Sequence, residues 1–452
     1  MTGMLVTIRG TADPQGAARH DFAVQSLAGD LPERLDAALP ESPNDPPFVA
    51  LSQMASDPMS DSICLTDAGS ALLNRLRQHG NGPQALDATL AAPLGSAGRE
   101  VRLHIPLLLD SPHNLPWELL WDPGSGFLEM SRRVPVLRVV RVPDGATRPS
   151  GRLASDGLRA VALLAARGID GLGEYHAVRA ALKTYGKPWQ LHVFSPDLSV
   201  ANAIAAEADG RIRHRHLPTS ASALMREIAA EAPQLVHLFC HGIARPGGDA
   251  ALEVATLLTQ AGGPAVELSA YDLCSELPAS AWLVTLNACS SGETLVGSRS
   301  VAAELVEAGV PFVVGMREAA QTRVLNAFTR GFLSDALVRI DQALAGNKPQ
   351  ELRLGQSLYA GRDAICQGFA QVGIDVTRRV KEWSLPMLFT RPEPFLLAPG
   401  DAGAPLWLAE LQRTRQVLAE FLVAQAATLD PPALVAIGQR IASLDAEIGA
   451  LS

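Results

Sequence analysis

The chain has 452 residues, of which 47% are hydrophobic and 19% charged. That composition suits a folded globular protein, and the length asks for two or three domains rather than one core. A formal net charge of -9 repels polyanions, so no direct nucleic-acid partner is expected. The short basic run 211–216 reads as a solvated strand or loop face. Five scattered cysteines with no CxxC pair suggest neither a zinc site nor a disulfide framework, and no cofactor is expected. With no signal-like N-terminus and no apolar run of about 18 residues, a cytoplasmic protein without a membrane span is expected.

In chain order, residues 1–148 read as an α+β section packing on the rest. It opens with a strand at 5–9, then carries a Pro-rich loop at 40–47 and a helix over 68–78 capped by Asp67 or Thr66. Alternation predicts strands over 99–109, 127–130 and 134–142. Between the first two lies the apolar segment Leu115-Pro116-Trp117-Glu118-Leu119-Leu120, whose Trp117, with Trp121 just beyond, is read as core. The Pro- and Gly-rich stretch 143–155 is the best linker.

Residues 149–403 alternate short apolar strands (158–165, 189–194, 235–240, 281–286, 311–315) with helices (174–184, 220–230, 300–308, 319–344, 349–367). A last strand is expected at 384–390. This pattern predicts an α/β fold, a mostly parallel sheet covered by helices on both faces. Residues 404–452 read as a helical hairpin broken at Asp430-Pro431-Pro432. The heptad-spaced apolar seam of its second helix packs on its sibling or on the main domain, or docks a partner.

Chemistry concentrates in two segments, Leu235-Val236-His237-Leu238-Phe239-Cys240-His241-Gly242 and Leu283-Val284-Thr285-Leu286-Asn287-Ala288-Cys289-Ser290-Ser291-Gly292. Each is an apolar strand ending in reactive or flexible residues, and strand carboxyl ends line the ligand crevice of a parallel sheet. Neighbouring strands of this kind would bring His241 and Cys289 together as base and nucleophile. The N–H groups of Gly242 and Cys289 are candidate oxyanion donors. His241 precedes Cys289 by 48 residues, and caspases share this arrangement, with an Ala-Cys motif and a His about 50 residues upstream. His237, four residues before His241, either orients the base or substrate or belongs to the core. Cys240 should face the opposite side of its strand. Asp249 and Asp272 border a specificity pocket or serve turn and cap roles. A Ser-hydrolase elbow and a phosphate loop are both absent.

These motifs, with the segment 115–120, Pro311-Phe312-Val313-Val314-Gly315-Met316 and Trp383-Ser384-Leu385-Pro386-Met387-Leu388-Phe389, resemble the CHAT family of caspase-like cysteine proteases, related to separase. The resemblance covers roughly residues 99–392. It implies a caspase-like fold, a His241–Cys289 dyad with Gly242 at the oxyanion position, no catalytic metal, and peptide-bond cleavage. It also implies a protein substrate, such as a gasdermin-like pore former or another operon-encoded effector in bacterial defence. An activator or docking partner could engage the C-terminal hairpin. The chain lacks the tetratricopeptide repeats of many relatives. Relatives that cut after Arg or Lys place Asp two residues before the Cys, where this chain has Asn287, which argues against a basic P1 residue. Asn287, Asp249 and Arg317 are the substrate-pocket candidates, Arg317 suiting an acidic group. The alternative is a catalytically silent caspase-like scaffold that binds partners.

Overall fold

The computed structural model describes residues 4–12, 18–26, 35–36, 49–51, 54, 64–78, 83, 86–87, 101–104, 115–140, 150–153, 156–244, 250–256, 264–288, 300–346, 348–370 and 376–399, with scattered helical positions between 412 and 448. For 4–12, 18–26, 35–36 and 101–104 the backbone alone is described.

Six short, apolar strands run parallel, in spatial order β11 (Ile212–Arg215), β10 (Trp189–Phe194), β9 (Leu158–Leu164), β12 (Leu235–Phe239), β16 (Leu283–Asn287) and β17 (Phe312–Met316). The sheet then reverses once, at β19 (Pro386–Thr390). Beyond it, β7 (Val136–Val139), β4 (Val101–His104) and β1 (Met4–Ala12) run parallel to β19. β2 (Ala18–Ser26) and β3 (Leu35–Asp36) close this twelve-stranded sheet in antiparallel pairing. It is the mixed α/β, mostly parallel architecture expected.

Strand alternation divides the core cleanly. In β12 and β16, Leu235, Phe239 and Leu283 join one apolar cluster, while Val236, Leu238, Val284 and Leu286 join another on the opposite face. The first face is covered by α3 (Leu172–Lys183), α8 (Thr322–Ala343) and α9 (Gly355–Phe369). The second is covered by α5 (Ala221–Ala230), α6 (Ala270–Glu276) and α7 (Val301–Glu307). Serines start these last three helices: Ser220 accepts from Ala223 N at 3.3 Å and Ser300 from Ala303 N at 3.1 Å. Ser269 forms a reciprocal capping box with Asp272. Asp272 therefore has the cap role.

Some expectations shift. Helix α1 (Cys64–Gln78) begins earlier than read, so Asp67 lies in its first turn rather than at its cap. Of the stretch 127–130, Phe127 alone is in a strand, β6 (Gly126–Phe127), which pairs with β5 (Trp121–Asp122). The rest winds into the short helix α2 (Leu128–Arg132). The start of 349–367 is strand β18 (Gln350–Glu351), held by β20 (Leu396–Pro399), which in turn pairs with β8 (Ser150–Leu153) from the linker's end. Helix α4 (Leu198–Glu207) was not read from the sequence. In the C-terminal section the described positions of 412–423 and 434–448 are helical, and Arg415 Nε meets Asp445 Oδ1 at 2.5 Å across them.

Candidate active site

β12 and β16 are adjacent and pair in parallel from Leu235↔Leu283 to Phe239↔Asn287. Cα partners in this ladder are 48 residues apart, as in the His237–Thr285 contact. The same number separates His241 from Cys289. In sequence, each candidate thus follows its strand's last residue by two positions. Cys289 and Asp249 lie outside the described residues.

β12 ends at Phe239 and the chain bends at Cys240, which is buried in the second core face as expected. His241 then opens β13 (His241–Ala244) of a separate antiparallel sheet with β14 (Ala250–Ala255) and β15 (Ala265–Ser269). The bend means that His237 and His241 do not belong to one strand face. His241 is half-buried, and its Nε2 lies 2.8 Å from the backbone oxygen of Arg167, in the loop after β9. A carbonyl can only accept, so Nε2 carries the hydrogen, and in the neutral ring Nδ1 is the basic nitrogen. Arg167 is itself tied to β14: its Nη2 donates to Glu253 Oε2 at 2.8 Å, and Glu253 sits opposite His241 in the ladder. Gly242 pairs opposite Leu252 in the same ladder.

Beneath this edge lies a polar cluster buried in the α3/α8 face. Glu174, in the first turn of α3, and His237 are both fully buried. His237 Nδ1 lies 2.6 Å from Thr285 Oγ1 on the neighbouring strand. Its Nε2 is 2.9 Å from Glu174 Oε1, too far off line for a hydrogen bond. Asn287 Nδ2 donates to Glu174 Oε1 at 2.7 Å and to Thr329 Oγ1 at 2.6 Å, and the Thr329 hydroxyl donates to Glu174 Oε1 at 2.5 Å. The Asn326 amide, with its nitrogen turned inward, donates to Glu174 Oε2 and to Thr322 O. Both hydrogens of the Asn287 amide are therefore used, and its Oδ1 is buried without a hydrogen-bond partner.

Arg317, just past β17, is 4% exposed. Its Nη1 lies 3.4 Å from Glu118 Oε2, and its Nη2 donates to Ser384 Oγ at 3.1 Å. Glu118 also receives Arg138 Nη2, at 2.9 and 3.0 Å from its two oxygens. The segment around Trp117 is thus wedged by charge as well as by its core tryptophan. Among the described residues no group of three or more His, Cys, Asp or Glu could hold a metal ion, and no helix is long and apolar enough to cross a membrane.

Glu174, Thr285, Asn326 and Thr329 were not singled out from the sequence. For Glu174 a signal existed, because it shares a helical stripe with Val178, Ala181 and Leu182, all buried. A carboxylate on an apolar stripe must find partners inside.

The CHAT domain model matches residues 82–375, well over half of the chain. No curated protein matches it. Among solved structures, the Saccharomyces cerevisiae separase–securin complex aligns with 88% of this chain at a TM-score of 0.40 and 9% identity. The aligned part spans 30% of that chain.

Proposed function

Since the chain belongs to the CHAT domain family, we propose that it is a caspase-like cysteine endopeptidase, with His241 as general base and Cys289 as nucleophile, cleaving a dedicated protein partner. The observation that carries the reading is the β12/β16 register, whose 48-residue offset is also the spacing of the two residues. The Arg167 carbonyl on His241 Nε2 adds the orienting group that such a base needs.

In this reading His241 Nδ1 takes the proton of the Cys289 thiol, and the thiolate adds to the scissile carbonyl. The N–H groups of Gly242 and Cys289 steady the resulting oxyanion. The imidazolium then protonates the leaving amine, and water hydrolyses the thioester. The substrate would be a gasdermin-like pore former or another operon-encoded effector in a bacterial defence or cell-death system, with the C-terminal helices recruiting it or an activator. Asp249 and Arg317 are the specificity candidates, whereas the Asn287 side chain, also a candidate from the sequence, is buried and engaged by Glu174 and Thr329. Arg317 would meet an acidic substrate group only by exchanging its contact with Glu118.

The test is co-expression with the products of neighbouring genes, read by intact mass. Wild type should cut one of them and Cys289→Ala none. Cleavage persisting at the wild-type rate in the variant would remove the assignment. Binding of a product without cleavage by wild type would favour the silent scaffold.

A further inference from the structure

Two residues before the proposed nucleophile, β16 ends in a side chain that the protein interior holds in one orientation. Asn287 is 1% exposed, and both of its amide hydrogens are engaged, at 2.7 Å by Glu174 and at 2.6 Å by Thr329. The same Glu174 oxygen faces His237, whose other nitrogen contacts Thr285 on β16. One carboxylate from α3 thus holds β16 through Asn287 and faces β12 at His237.

On the dyad reading above, we propose that Glu174 is a positioning residue for the nucleophile: by holding the Asn287 amide and meeting His237, it sets the point from which the chain leaves β16 toward Cys289, and the alignment of that point with the end of β12. The groups that meet Glu174 are His237 from β12, Asn287 from β16, and Asn326 and Thr329 from α8. Of these, His237 alone is titratable. The arrangement also accounts for an amide rather than a carboxylate at position 287. An aspartate there would offer a second acidic group where Glu174 needs a donor, and like charges at that range repel strongly in a buried setting.

The test is the pH dependence of Cys289 alkylation by iodoacetamide in the full chain, followed by peptide mass, with folding checked by circular dichroism. Wild-type Cys289 should react with a midpoint below the ~8.5 of a free thiol, as a thiolate beside an imidazole does. Glu174→Ala should raise that midpoint by about one unit and slow alkylation at pH 7 about tenfold, because a displaced thiolate loses its imidazole. Glu174→Gln keeps an oxygen to accept from Asn287 and Thr329, and should restore the midpoint to within a few tenths of a unit of wild type. Should Glu174→Ala not fold, Asn287→Ala carries the same readout, since it leaves the Thr329 and His237 contacts of Glu174 in place. A folded Glu174→Ala or Asn287→Ala protein that titrates as wild type overturns the positioning role. A wild-type Cys289 that titrates as a free thiol instead overturns the dyad on which it rests.

Discussion

Buried carboxylates recur in this protein, and what faces each one decides its behaviour. Glu129, in α2, is buried against Arg362 of α9, and the Val136 N–H approaches its Oε1 at 3.4 Å. Desolvation outweighs the guanidinium and pushes its carboxyl from the ordinary 4.5 up to about 7. The folded protein therefore keeps a proton that the unfolded chain gives up over that interval. The stability linked to it is fully present below about 4.5 and is lost as pH rises through about 7. Glu129→Gln has no proton to lose. Its melting temperature relative to wild type should move in the variant's favour between pH 5 and pH 8, and a constant difference across that range would contradict the assignment. Residues of this kind were only partly legible in the sequence. His241 and Cys289 stand out in the sequence because each follows an apolar run and has a glycine soon after it, Gly242 and Gly292. Glu174 and Glu129 become visible only once a helix face is assigned, since nothing local says that a charge points inward. Arg317 could be read as a strand-end cation, but its Glu118 partner is 199 residues away.

At the scale of elements, the strands of the parallel sheet were legible because burial on both faces makes them short, unbroken apolar runs. The hairpin sheet β13–β15 was not. Its strands are short and partly exposed, and its pairing depends on the bend at Cys240 rather than on alternation. Helices α3, α5, α7 and α8 were legible from their period, whereas the short α6 (Ala270–Glu276) was not read. The pairing of α8 with α9 depends on small residues that no pattern advertises. A Cβ on Gly331 would lie 2.5 Å from the Ala360 carbonyl oxygen and 2.8 Å from the Ala364 Cβ. One on Gly361 would meet the Phe328 ring at 2.6 Å. Neither a backbone carbonyl nor an alanine can swing aside. Gly331→Ala gains up to about 1 kcal/mol of helix propensity but incurs overpacking of about 1–3 kcal/mol. A net loss of about 1 kcal/mol in urea unfolding is expected, and a gain would mean that the two helices separate more readily than their contacts suggest.

For the whole molecule, the sheet does not stop where the sequence changes character. The stretch 143–155 looks like a linker, yet β7, β4, β1, β2 and β3 before it continue the sheet whose other strands come after it, through the β7/β19 pairing. Charge crosses the same seam. Glu118 and Arg138 belong to the first section, and Arg317 meets Glu118 from the second. Sequence reading could place the two sections side by side but could not see that they share backbone hydrogen bonds, because pairing partners far apart in the chain leave no local trace. A fragment beginning at residue 149 would therefore expose the β19 edge and leave Arg317 buried beside an empty carboxylate position. Open edges invite aggregation, and removing one partner of a buried charge pair is costly, about 3–5 kcal/mol. The fragment 149–452 alone should be insoluble or lack a cooperative thermal transition, whereas co-expression with 1–148 should recover a soluble complex that melts near the intact chain. Glu118 separates the contribution of charge from that of backbone pairing. If pairing at the β19 edge alone held the sections together, Glu118→Gln in the 1–148 fragment would leave the recovered complex unchanged. If the buried charges matter as the geometry indicates, that single change should lower its melting temperature or prevent recovery.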